Sequence, residues 1–212
     1  MSSARLLHVY VHPIKDYYEE LWERLPDRLA LPDRERRVGF LLDEVSAGDR
    51  VLDVGFGDGT FTAELARAGA QVVGVEVAEA ALKRARAAHP ELDFRLVPLG
   101  GPLPLEDCAF DVVWASEVIE HVADTARWLS EVRRVTSPGG RLLLTTPNHP
   151  RSLLLLRGLE RYSNPLSDHL HLYTRRSLQR LLGEFGFEPV TVRTAGGPPL
   201  FRRLLLARAV RG

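Results

Sequence analysis

Up to residue 48, apolar residues recur at helical spacing. Ile14, Tyr17, Tyr18, Leu21, Trp22 and Leu25 share one helical face, and Val38, Leu41, Leu42 and Val45 share another. Pro26 and Pro32 punctuate the chain between them, and a Gly48-Asp49 turn closes the second helix. Residues 1–48 therefore read as N-terminal helices laid over the body that follows, capping its site.

Beyond residue 48 short apolar runs alternate with helical patterns. RVLDVG (50–55), QVVGVEV (71–77), LDFRLV (92–97), FDVVWAS (110–116) and RLLLTT (141–146) are runs of the kind buried parallel strands show. Helices are expected over 60–68, 79–88 and 124–136, the last with Ala126, Leu129, Val132 and Val135 on one side. Gly69, Pro90 and the SPGG stretch stop them. Such alternation predicts a doubly wound α/β sheet with helices on both faces. An irregular segment (147–173), a helix from Thr174 to Gly186, and two runs divided by AGGPP complete the chain. The final pair is expected to be antiparallel. The expected fold has seven strands, mostly parallel with an antiparallel C-terminal strand. Its core spans 49–212, with 147–173 as a substrate-side insertion.

Composition narrows the class. With 45% hydrophobic and 26% charged residues, the 212-residue chain is ordinary globular protein and long enough for a full core. Cys108 is its one cysteine, so neither an internal disulfide nor a cysteine-based zinc site can form. A cytoplasmic location is expected, with no signal peptide read in MSSARLLHVYVHP. The strongest apolar run, Leu153 to Leu156, is too short to cross a bilayer. The net charge of zero conceals a division: 151–212 carry 11 arginines against four acids, leaving 17 basic and 24 acidic residues in 1–150. The arginines are scattered, which suits attraction between the two parts as well as an anionic partner. Dense interleaving of basic and aromatic residues is lacking, so nucleic acid is a disfavoured partner.

The candidate chemistry begins at VLDVGFGDGT (51–60). Glycines at 55, 57 and 59 let a ligand approach the backbone, and the helix starting near Thr60 points free amides at the same place. A dinucleotide fingerprint wants glycine or alanine at position 60, which is threonine. The loop alone leaves open a plain turn, a dinucleotide site or another cofactor. Glu76 ends the second strand, 23 residues after Asp53, where an acid can accept hydrogen bonds from ribose hydroxyls. Together they point to an adenosine-containing cofactor.

VLDVGFGDGTFTAELA, VVGVEVA, LPLEDCAFDVVWASEVIEHVAD and LSEVRRVTSPGGRLLLTTPN, in this order, resemble the class I S-adenosylmethionine-dependent methyltransferases, whose fold is Rossmann-like. The resemblance covers roughly residues 38–195, and SEVIEHV with TPN most resembles the ubiquinone-biosynthesis-type O-methyltransferases. It implies S-adenosyl-L-methionine as cofactor and methyl transfer to a small-molecule acceptor, O-methylation favoured. It further implies that Asp53 orders the loop, that Gly55, Phe56, Gly57 and Gly59 pass beneath the methionine part, that Glu76 holds the ribose and Val77 the adenine face, and that Ser116 and Glu117 line the methionine end. Leu99 stands where relatives usually place an acid for the adenine amino group.

A hydroxyl acceptor needs its proton removed, and His121 and His149, after the fourth and fifth strands, are the candidate bases. His169 and His171 lie in the segment that could cover the site. In the resembling O-methyltransferases a magnesium-type ion can be held at a motif like Glu117, Glu120 and His121. Three ligands within five residues make a weak site for a hard cation, and no metal is assigned. Tyr17, Tyr18, Trp22, Tyr162 and Tyr173 offer aromatic surface for the acceptor or serve packing. A nicotinamide dehydrogenase and a non-catalytic cofactor-binding module are the rival readings. A monomer or homodimer is expected.

Overall fold

A computed structural model describes residues 15–26, 31–150, 169–198 and 202–212. The leucine run 153–156, Tyr162 and most of the insertion lie outside the described residues.

Helix α1 covers residues 15–24. It is followed by α2 (Arg34–Leu42), β1 (Arg50–Val54), α3 (Thr60–Arg67), β2 (Gln71–Glu76), α4 (Glu79–Ala88), β3 (Asp93–Leu96) and β4 (Phe110–Ser116). A 3-10 turn (Ile119–His121) leads to α5 (Thr125–Val135), β5 (Thr136–Pro147), α6 (Arg175–Glu184), β6 (Phe187–Ala195) and β7 (Leu204–Arg211). The seven strands form one sheet in the order β3-β2-β1-β4-β5-β7-β6. The first five strands pair in parallel, whereas β7 runs antiparallel to both β5 and β6.

Strand alternation fills both faces. Val51, Val112, Trp114 and Leu143 meet Leu41, Phe61 and Leu65 on one side. Leu52, Val113, Ala115, Leu142 and Leu144 meet Leu129, Val132, Leu178 and Leu182 on the other. Both sets are buried, which is why these strands read as unbroken apolar runs. Thr174 begins α6 with a capping box, its side chain accepting from the Ser177 amide.

SPGG departs from expectation. It lies within β5 rather than ahead of it, and the register with β4 jumps from Phe110–Thr136 to Val112–Arg141. The surplus residues bulge out, with Gly139 at φ 74°.

The chain runs from β1 outward to β2 and β3, then returns to β4 on the other side of β1. Strand order thus reverses between β1 and β4, which opens a crevice at their carboxyl ends. Among the described residues no helix is long and apolar enough to cross a membrane.

Candidate active site

The β1 and β2 ends build one half of the crevice. Asp53 is buried in β1, and its Oδ2 accepts from Thr62 Oγ1 of α3 at 2.6 Å. Burial pushes its carboxyl up to about 7, against the Thr62 hydrogen bond and with help from Glu76 and Asp58. Glu76, at the end of β2, accepts from three backbone amides: Gly57 at 3.2 Å, Val77 at 2.7 Å and Ala78 at 3.3 Å. Burial raises its pKa against those bonds. One side chain therefore ties the glycine loop to the turn into α4. A carboxylate has about four lone-pair sites, so capacity remains for a ligand hydroxyl.

Two glycines are required by close approach. A Cβ at Gly55 would stand 2.6 Å from Val118 Cγ2, and one at Gly57 would stand 2.8 Å from the Trp22 ring; both glycines have positive φ. Phe56 turns its ring away, 4.6 Å from Phe94, and offers only its backbone to the crevice. Gly59 caps α3 and faces Phe94. The Thr60 amide is taken by Asp58 Oδ1 at 3.0 Å. Val77 is half-buried against the sheet core. The Val97 amide donates to Glu76 O at 2.8 Å, which brings half-buried Leu99 to the same rim.

The β4 and β5 ends build the other half. Ser116 Oγ and Thr145 Oγ1 are 2.9 Å apart, and Thr145 Oγ1 donates to Glu117 Oε1 at 3.0 Å. Glu117 sits at φ 57°, and burial raises its pKa against the charge of Arg37. Arg37, buried at the foot of α2, donates to Ser116 Oγ at 3.0 Å and to Pro32 O at 2.5 Å. Its Nε is buried and without a partner among the described residues. Glu120 is fully buried and accepts from Thr146 Oγ1 at 2.8 Å. Its Oε1 is 3.9 Å from His121 Nε2, and the His121 and His169 rings cross edge-on at 4.7 Å. His149 is buried nearby, its pKa pushed down to about 4 by burial and then by His169, so it is neutral at pH 7. Helix α1 lies across both halves. Trp22 is against Gly57, Tyr18 is edge-on to His121 at 6.2 Å, and Glu19 accepts from the Glu79 and Ala80 amides at the start of α4.

A methyltransferase-domain family matches residues 14–192, most of the chain. The chain belongs to the S-adenosylmethionine-dependent methyltransferases. It is 37% identical over 142 residues to a probable S-adenosylmethionine-dependent methyltransferase of Mycolicibacterium smegmatis, covering 67% of this chain and 53% of that protein. It is 40% identical over 125 residues to a ubiquinone biosynthesis O-methyltransferase of Hahella chejuensis, covering 56% and 52%. The chain spans about half the length of the curated relatives it matches. The crystal structure of an S-adenosylmethionine-dependent methyltransferase from Mesorhizobium loti shares the fold, with TM-score 0.70, 24% identity and coverage of 86% of this chain and 99% of that one.

Within this methyltransferase Asp53, Glu76 and Ser116 stand at the ends of β1, β2 and β4, and the Phe56 ring packs on Phe94. Of the three residues weighed as a magnesium-type motif, to which no metal is assigned, Glu117 accepts from Thr145 and lies under the charge of Arg37. The group that converges instead is Glu120, His121 and His169. Sequence reasoning had placed His169 only in the covering segment, and it missed Arg37 and Glu19. Arg37 belongs to RERR, which reads as a solvated charge run, and nothing local distinguishes it.

Proposed function

We propose that this chain transfers the methyl group of S-adenosylmethionine to a hydroxyl of a small-molecule acceptor. The observation that carries the reading is the Glu76 carboxylate bonded to the Gly57 amide. It sets an acid for ribose hydroxyls directly beside a glycine loop that leaves room for a ligand. Asp53, Gly55, Phe56, Gly57, Gly59, Val77 and Leu99 complete the donor half. Ser116 and Glu117 line the methionine end, where the Arg37 guanidinium supplies a cation for its carboxylate.

The sulfonium is already activated, so the protein's work is alignment and exclusion of water. Helices α1 and α2 cap the site, with α1 placing Trp22 and Tyr18 over the crevice, and the described ends of the insertion, 147–150 and 169–173, shape the acceptor side. A neutral His149 with a pKa of about 4 is a weak base. Removal of the acceptor proton falls instead to the surroundings of His121, beside Glu120. O-methylation is favoured by that cluster and by the similarity to the Hahella O-methyltransferase. A single cysteine fits a cytoplasmic site of action. Incubation with methyl-labelled S-adenosylmethionine and a panel of phenols, alcohols and amines tests the assignment. Label on oxygen is expected; label on nitrogen or carbon alone would overturn O-methylation.

A further inference from the structure

We propose that Glu131 and Arg134 of α5 are positioning residues for the adenine end of the donor site: they hold the loop that carries Leu99 and so set cofactor affinity without touching the cofactor. The proposal rests on the reading that Leu99 borders the adenine. Both residues belong to LSEVRRVTSPGG, a stretch that supplies no side chain to the donor half described above.

The need for them arises from the loop itself. Residues 97–109 join β3 to β4 and form neither helix nor strand. Their backbone groups must therefore find partners elsewhere. GPLPLED (101–107) sharpens the need, because Pro102 and Pro104 have no amide to give. Leu103 and Leu105 pack against the sheet core.

Helix α5 supplies the partners. Leu129, Val132 and Val135 bury one of its faces, and Glu131 and Arg134, three residues apart, share another. Glu131 Oε2 accepts from the Leu103 amide at 2.8 Å. Arg134 donates to Leu103 O at 2.9 Å, to Leu105 O at 2.8 Å and to Asp107 Oδ1 at 2.6 Å. It also donates to both Glu131 oxygens, at 3.0 and 2.9 Å, which holds the Glu131 carboxyl below the usual carboxylate range. Its own carbonyl accepts from the Cys108 amide at 2.9 Å. One helix face thus grips Leu103 by its amide and its carbonyl together.

The near end of the loop is fixed as well. The Val97 amide donates to Glu76 O at 2.8 Å, and the Gly101 amide to Pro98 O at 3.3 Å, with Leu99 inside that turn. Leu99 therefore hangs between an anchor on the ribose acid and an anchor on α5. Without the second anchor, its loop is tied at one end only.

Calorimetric titration of S-adenosylhomocysteine into the full chain tests the role. Glu131→Ala should weaken binding by about three- to thirty-fold, the size of coupling carried through a positioning contact. Glu131→Gln keeps an oxygen for the Leu103 amide and should recover most of that loss. Asp111→Ala breaks the ion pair with Arg50 at the amino ends of β1 and β4, away from the crevice, and should leave affinity unchanged. Hydrogen exchange on the wild type needs no variant: residues 98–105 should gain protection when S-adenosylhomocysteine is added. Undiminished affinity in folded Glu131→Ala, an equal loss in Glu131→Gln or Asp111→Ala, or no added protection of 98–105 would each overturn the positioning role. No binding to the wild type would overturn the donor-site reading itself, and this role with it.

Discussion

The two halves of the crevice are held by different kinds of bond. On the β1–β2 side Glu76 grips nearby backbone, taking the amides of Gly57, Val77 and Ala78, while Asp53 takes the Thr62 hydroxyl of the following helix. On the β4–β5 side, acids grip side chains from the neighbouring strand: Glu117 takes Thr145 and Glu120 takes Thr146. Backbone amides are present whatever the residue, so the first half is defined by glycines and one well-placed acid. The second half exists only because parallel pairing sets Ser116 beside Thr145. On the proposed reading the first suits the ribose and adenine of the cofactor, and the second runs from its methionine end toward the acceptor.

The largest expected effect comes from Asp53. Its folded pKa of about 7 lies above the usual carboxylate value, so the fold favours the protonated form. That stability is fully present below about pH 4 and is lost as pH rises through about 7, a change on the order of 4 kcal/mol. Urea unfolding should show this loss in the wild type between pH 4 and 7 and a much flatter profile in Asp53→Asn. An equal slope in both would break the assignment of strain to the donor side.

Thr146→Val leaves one oxygen of buried Glu120 without its donor, at a cost of about 1–3 kcal/mol. Turnover of acceptor should fall while affinity for S-adenosylhomocysteine holds. Equal loss of both would erase the distinction between the halves. Gly57→Ala forces a left-handed backbone and a Cβ 2.8 Å from Trp22, costing about 1–2 kcal/mol in thermal unfolding. Adding Trp22→Ala should recover the steric part but not the backbone part. The smallest effect is a gain: Leu99→Asp supplies the acid that relatives place near adenine. One hydrogen bond of about 1 kcal/mol makes cofactor binding roughly five-fold tighter in a titration.

What the chain made legible follows the same division. Apolar runs located β1, β4 and β5 because both faces of those strands are buried, and the glycine spacing with Glu76 located the donor half. SPGG reads as the stop of the preceding helix, which does end at Val135, but the strand expected at 141 already starts at Thr136 because pairing with β4 continues across a bulge. Arg37 was hidden because its burial comes from α2 docking onto Phe61 and Ser116, not from its charged neighbours. His169 was hidden for a similar reason. Its place beside His121 depends on two amides reaching Glu120 across 50 and 51 residues of chain. Periodicity and motifs report local backbone needs, whereas side chains meeting across strands report the tertiary fold.

The most direct measurement is calorimetric titration of S-adenosylhomocysteine into the wild-type chain and into Glu76→Ala, with folding of the variant checked by its unfolding transition. One binding site in the wild type is predicted, weakened by about 10- to 100-fold in the variant, as loss of charged hydrogen bonds of about 1.5–3 kcal/mol requires. Undiminished affinity in folded Glu76→Ala, or no binding to the wild type, would contradict the account.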